Sequence, residues 1–201
     1  MVTKIAVAFA NIFMSAVEIA ILSQSNTKPL EWKPYIDDVF SLLDANTEEI
    51  GKFIEHANRH HATIKFTAEI SDKETPFLGT CVYKGERFKK DNLLNVRSHF
   101  KPTETFQYTH CSSCHPPGVS KEFIKGKALR LLRTNSSKTV FEESIRNFYV
   151  RLRIRGYPRH LVDHILSEMK FTERESALQQ RQKTQDKPLP LSRNITYQCF
   201  I

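Results

Sequence analysis

The chain has 201 residues, 40% of them hydrophobic, with 30 Lys and Arg against 22 Asp and Glu and a net charge of +8. That is enough apolar material for one domain or two small ones. Four irregularly spaced cysteines exclude a disulfide-stapled scaffold, and the lack of any apolar run of about 20 residues excludes a membrane span.

The N-terminal stretch MVTKIAVAFANIFMSAVEIAIL carries Ile5, Phe9, Ile12, Phe13, Val17 and Ile21 at helical spacing. It predicts an amphipathic helix over about 5–22 rather than an export signal, because Asn11, Ser15 and Glu18 interrupt the apolar run. The reduced cysteines then point to an intracellular setting, nuclear or cytoplasmic. After a turn-rich loop, Trp32–Tyr35 and Val39–Leu43 read as the arms of a hairpin, with Asp37 and Asp38 at its turn. NTEEIGKFIEHANRHH reads as a helix capped by Asn46 or Thr47, with Ile50, Phe53, Ile54 and Ala57 as its buried stripe and His60-His61 as its polar end. TIKFTAEI (63–70) alternates as a half-buried strand. FLGTCVYK (77–84) and LLNVRSHF (93–100) are two more strands, joined by the basic loop KGERFKKDN. The first hundred residues are therefore expected to be α+β with an antiparallel sheet.

Beyond residue 100 the pattern changes. KPTETFQYTHCSSCHPPG is irregular, and helices follow at about 120–133, 139–155 and 158–170. Thr139 with Glu142 predicts a capping box. Phe141, Ile145, Phe148 and Leu152 predict a core face, Gly156 a helix end and Pro158 a helix start. Residues 172–187 read as a polar helix, followed by an irregular tail. The sequons at Asn135 and Asn194 carry weight only in an exported chain.

Charge divides unevenly. Residues 1–72 hold 6 Lys and Arg against 10 Asp and Glu, and residues 73–201 hold 24 against 12. A strongly basic half predicts an anionic partner, with nucleic acid first. Arg151, Arg153, Arg155 and Arg159 fall close to Tyr149 and Tyr157, a mixture suited to phosphate contact and base stacking, or to an ordinary solvated basic face. The three closely spaced helices are compatible with a helix-turn-helix bundle. Two carboxylates on a rigid turn suit Mg²⁺, which takes its other ligands from water and phosphate. CSSCH at 111–115 has the spacing of a haem attachment site, but with no export signal and with Pro116-Pro117 following, no haem is expected. Cys111, Cys114 and His115, with His110 or His99 as a fourth ligand, leave structural zinc as an alternative.

YIDD at 35–38 resembles the Tyr-x-Asp-Asp motif of reverse transcriptases. TKIAVAFANIFM before it, RSHFKPTETFQYTHCSSCHPPG after it and GKALRLLRTNSS beyond are, in the same order, similar to segments of the reverse transcriptase of Penelope-like retroelements. The resemblance implies part of a right-hand polymerase palm at 1–100, a helical, helix-turn-helix-like thumb at 101–171, and a polar helix and tail at 172–201. It implies Asp37 and Asp38 as catalytic, Mg²⁺-binding carboxylates, with Tyr35, Lys101, Pro102 and Thr103 near the primer end or incoming nucleotide. Gly118, Lys121, Lys125, Arg130 and Arg133 would face the backbone of an RNA template and DNA primer. The family has Gly where Val2 stands and Phe-Leu-Asp where Phe77-Leu78-Gly79 stands. It also calls for an earlier Asp on a separate strand and for a fingers subdomain, neither within these 201 residues. The fragment alone is expected to be inactive, leaving a non-catalytic nucleic-acid-binding protein as the alternative.

Overall fold

The computed structural model describes residues 4–116 and 118–179, which form two compact units dividing between Ser71 and Asp72. Val2, the Ile5 side chain, Asn194 and everything from 180 onward lie outside the described residues. Among the described residues no helix is long and apolar enough to cross a membrane.

In the first unit α1 spans Lys4–Gln24, β1 Glu31–Tyr35, β2 Asp38–Leu42 and α2 Thr47–Arg59. The strands pair antiparallel, Trp32 opposite Ser41 and Tyr35 opposite Asp38, so the turn is only Ile36 and Asp37. Apolar residues on alternate strand positions and at helical spacing converge on one cluster of Ile21, Trp32, Val39, Phe53 and Ala57. The predicted α1 stripe is only partly realised. Ile21 is fully buried, but Phe9 is 68% exposed and Ile12 and Phe13 also face outward, because the cluster engages only the C-terminal part of the helix. Asn46, not Thr47, is the N-cap of α2: the Glu49 backbone N–H donates to Asn46 Oδ1 and the Asn46 backbone N–H to Glu49 Oε2, both at 2.9 Å.

The strand predicted at 63–70 does not form. Ile64 and Phe66 are half-buried as alternation requires, but Ala68 and Ile70 are exposed. The side-chain amide of Asn58 occupies the backbone of Phe66, accepting its N–H at 2.6 Å and donating to its carbonyl at 3.0 Å. A side chain thus stands where a ladder partner would, and the segment stays extended without becoming a strand.

In the second unit β3 spans Glu74–Phe77, β4 Thr80–Tyr83, α3 Glu86–Asp91 and β5 Asn95–Ser98. The three strands form a meander in the order β3-β4-β5. The strand expected to run through 77–84 is instead a hairpin, because Leu78 and Gly79 both take positive φ, 49° and 74°, and form a two-residue turn. The loop KGERFKKDN contains α3, helped by a 2.9 Å Lys89–Glu86 pair and ended by Asn92 in the left-handed region. The fold is thus α+β as expected, with five strands in two separate antiparallel sheets among the described residues.

Helices α4 (Val119–Thr134), α5 (Lys138–Ile154) and α6 (Arg159–Ser167) follow, then a 3-10 turn at Phe171–Glu173 and α7 (Arg174–Leu178). Phe141, Phe148 and Leu152 of α5 are buried with Ile124, Ala128, Leu131 and Leu132 of α4 and Val162 and Ile165 of α6, and Ile145 packs against them. The capping box of Thr139 and Glu142 is absent: α5 starts one residue earlier, Ser137 is its N-cap, and Thr139 lies inside the first turn. The α4–α5 loop is hydrogen-bonded to β5. The Ser98 N–H donates to Asn135 Oδ1 at 3.0 Å, and the Val96 N–H to Ser136 Oγ at 2.8 Å. The Ser136 N–H donates to the Val96 carbonyl at 2.8 Å. The change of character near residue 100 therefore falls inside this unit. Asn135, read as a sequon, is fully buried with its amide committed to Ser98 and the Leu131 carbonyl.

Candidate nucleic-acid interface

The end of α5 and the start of α6 are joined by Arg155, Gly156, Tyr157 and Pro158. Gly156 sits at φ 79°, and a Cβ there would meet the His110 ring at 3.1 Å, so both backbone and space call for glycine. Tyr157 is buried and its hydroxyl donates to the Thr109 carbonyl at 3.1 Å. Burial also pushes its phenol pKa up. The Cys111 N–H donates to the Arg155 carbonyl at 2.9 Å, and Arg155 Nε to the Tyr108 carbonyl at 2.5 Å. The segment 108–111 therefore straps the turn between the two helices. A four-residue, glycine-containing connection between packed helices is the form of a helix-turn-helix.

On α6, Val162 and Ile165 face the core, while Arg159, His160, Asp163, His164 and Ser167 are exposed along the opposite face. Arg159 pairs with Asp163 at 3.2 Å and His164 with Glu168 at 3.8 Å, exposed pairs that exchange readily for other partners. This face offers donors and acceptors on one helix. Reading for arginine alone passes over most of it, yet the spacing of Leu161, Val162, Ile165 and Leu166 marks it out.

The basic residues singled out from the sequence separate into several groups. Lys121 and Lys125 are exposed on α4, one turn apart. Arg130 reaches the β3–β4 turn, where a Cβ on Gly79 would meet its Nη2 at 2.9 Å. Arg133 Nε donates to the Ala177 carbonyl at 2.7 Å. The Arg151 guanidinium lies 3.2 Å from the centroid of the Phe106 ring and 5.7 Å from that of Phe100. Arg153 Nη1 donates to the Tyr157 carbonyl. Arg151, Arg153 and Arg155 thus each hold part of the turn or of the 100–108 segment, and they do not form one stripe. Lys127 lies over Phe100 and Tyr108 at 5.9 and 5.7 Å, and burial pushes its pKa down, with Arg130 adding to the effect. Burial pushes the Tyr108 pKa up against its contact with Arg151. Lys101 and Thr103 are exposed, with the Glu104 N–H donating to the Lys101 carbonyl at 2.9 Å. Across 107–167 the chain carries 11 Lys and Arg against 4 Asp and Glu.

Among the described residues no three or more His, Cys, Asp or Glu side chains gather to hold a metal ion. Cys111 packs against the helical core, while Cys114 and His115 are exposed. His110 Nδ1 is engaged with the Ser112 hydroxyl at 2.7 Å.

In the first unit Asp37 and Asp38 stand at the hairpin tip, both exposed, beside exposed Tyr35 and Ile36. Ile36 takes φ 58°, a conformation that β-branched residues avoid. Two adjacent carboxylates open to solvent fit Mg²⁺, which needs only one or two from protein. Beside the tip a cavity of about 320 Å³ is lined by Asn11, Met14, Ser15 and Glu18 of α1 and by Pro34, Tyr35 and Ile36. Glu18 is only 8% exposed, and burial pushes its carboxyl up to about 7, with the nearby Trp32 indole partly offsetting the shift.

A family model of the animal helix-turn-helix domain matches residues 107–167. No curated protein and no solved structure matches the chain. The matched residues run from the strap beside Tyr108 to the last residue of α6, so this part of the second unit is similar to an animal helix-turn-helix domain.

Proposed function

We propose that the second unit binds duplex nucleic acid through its helix-turn-helix, with α6 as the helix that enters a groove and α4 and α5 placed for phosphate contacts. The observation that carries this is the split of α6 into a buried apolar side and an exposed side of Arg159, His160, Asp163, His164 and Ser167. Such a helix places hydrogen-bonding groups where base edges can be read. The positive charge of 107–167 supplies a non-specific attraction that weakens steeply with salt. The test is fluorescence anisotropy with a labelled duplex over a salt series. Arg159→Ala and His160→Ala are expected to cost about 1–3 kcal/mol each where they meet a base. Lys121→Ala with Lys125→Ala is expected to lower the salt slope by about one unit per lost phosphate contact. Unchanged affinity in all of these variants would refute the assignment.

A second reading is favoured by the hairpin tip. Asp37 lies in the two-residue turn and Asp38 opens β2 beside it, and the likeness of YIDD to reverse transcriptases supports reading them as a pair. In this reading the chain is a palm and thumb fragment, and Mg²⁺ held by the two aspartates would neutralise charge on substrate phosphates. Tyr35 would lie beside the nucleotide, and the hairpin would fix the carboxylates. Labelled-nucleotide incorporation on a primed RNA template tests it. The 201 residues alone are expected to give no extension, since no third metal-binding side chain joins the pair among the described residues. Extension that disappears in Asp37→Asn would show that the pair is catalytically sufficient.

A further inference from the structure

The C-terminal ends of α1 and α2 meet at two histidines. His56 lies in the last turn of α2 and His60 is its C-cap, four residues on and so on the same face. Their Nε2 atoms lie 3.1 Å apart, with the rings edge to face. His56 Nε2 also lies 3.3 Å from the Ile21 carbonyl, which already accepts the Ser25 N–H at 3.1 Å as α1 ends. His61 is turned to other partners, the Thr63 backbone and hydroxyl and the Phe13 ring.

No single two-centre hydrogen bond accounts for this arrangement. If His60 Nε2 donates to His56 Nε2, the His56 nitrogen has only its lone pair at the join and offers nothing to the Ile21 oxygen. If His56 Nε2–H donates to the Ile21 carbonyl, that nitrogen has no lone pair left to accept from His60, and only a bifurcated proton shared with the His60 lone pair can join the rings. One proton serves two of the three electron-rich atoms. A cation bound to both nitrogens removes the conflict, and the two helix C-termini favour positive charge there. The spacing fits as well: with bonds of about 2.1 Å, nitrogens 3.1 Å apart subtend roughly 95° at a shared metal ion.

We propose that His56 and His60 form a two-histidine chelate for a divalent transition-metal ion of the zinc, nickel and copper class. Two imidazoles select those borderline ions over Mg²⁺, a hard ion that prefers oxygen. Water completes the coordination shell. The site is independent of the hairpin aspartates and of the helix-turn-helix, so it stands or falls apart from both functional readings.

The test is calorimetric titration of the full chain with Ni²⁺, then with Mg²⁺. One Ni²⁺ site is expected and no Mg²⁺ heat at the same concentrations. His56→Gln and His60→Gln should each weaken Ni²⁺ binding at least about tenfold, because a chelate loses one of its two arms. His164→Gln, which interrupts the exposed His160 and His164 pair on α6, should leave it unchanged. Because the His56 variant could disturb α2, the wild-type chain is also titrated with substoichiometric Cu²⁺ and followed by NMR. The ring resonances of His56 and His60 should broaden before those of the other histidines. Undetectable Ni²⁺ binding, wild-type affinity in either Gln variant, or first broadening at another histidine would each overturn the proposal and leave the two rings as a proton-sharing pair.

Discussion

Glu18 gives the first unit a stability that falls as pH rises. Its carboxyl is held at about 7 in the folded chain against an ordinary 4.5, because burial beside Trp32 disfavours the charged form. The folded state therefore binds the proton more tightly than the unfolded one. The associated stability is fully present below pH 4.5 and is lost as pH climbs to 7 and beyond. A shift of this size corresponds to about 3 kcal/mol in all, of which about 2.5 kcal/mol disappears between pH 5 and pH 8. Trp32 is the only tryptophan and lies 3% exposed in this unit's core, so its emission reports on this unit alone. Urea unfolding followed by that emission at pH 5 and pH 8, for wild type and Glu18→Gln, isolates the effect. The glutamine keeps the shape and a polar end beside the indole but cannot ionise. Wild type is expected to lose about 2–3 kcal/mol more than the variant across this range. Parallel losses in the two proteins would mean that Glu18 ionises freely, which would refute the desolvation argument.

Three further outcomes are expected. Gly156→Ala, which forces a side chain into φ 79° against the His110 ring, should cost more than about 1 kcal/mol in thermal unfolding, and Gly156→Asn less. Asn135→Ala should cost about 2–3 kcal/mol and speed exchange of the Ser98 amide, which loses its acceptor. Ile36→Gly should stabilise the hairpin by about 1 kcal/mol in urea unfolding followed at Trp32, since glycine accepts φ 58° without strain; a loss of stability would show that the isoleucine side chain contributes more than its backbone costs.

Elements whose partners lie within one periodic segment were legible in the sequence. Phe141, Phe148 and Leu152 announce the buried face of α5 by spacing alone, and Asp37 and Asp38 fall beside a turn because two apolar runs flank them. What was not legible depends on distant partners. TIKFTAEI alternates like a strand, but whether alternation becomes a ladder depends on a neighbour, and Asn58 took that place. Phe9, Ile12 and Phe13 have the pattern of a core stripe, but nothing in the pattern says how much of α1 the hairpin and α2 will reach. Arg151 looks like a phosphate ligand in the run YVRLRIR; its ring partner, Phe106, lies 45 residues earlier in an irregular segment with no periodicity to betray the contact.

The hydrogen bonds from Asn135 and Ser136 to β5 have a consequence for how the chain survives at high concentration. A three-stranded sheet has two open flanks, each a row of amides and carbonyls that a strand from another molecule can join. On β5 that row is occupied: the Val96 and Ser98 amides and the Val96 carbonyl are spoken for by the loop between α4 and α5. On β3 the flank carries Pro76, which has no amide to offer, beside the charged Glu74. Neither side of this sheet presents a continuous template, so the second unit is guarded against strand-by-strand aggregation for as long as its helices stay folded. Loosening α4 would uncover β5, and intermolecular pairing would then begin there rather than at β3.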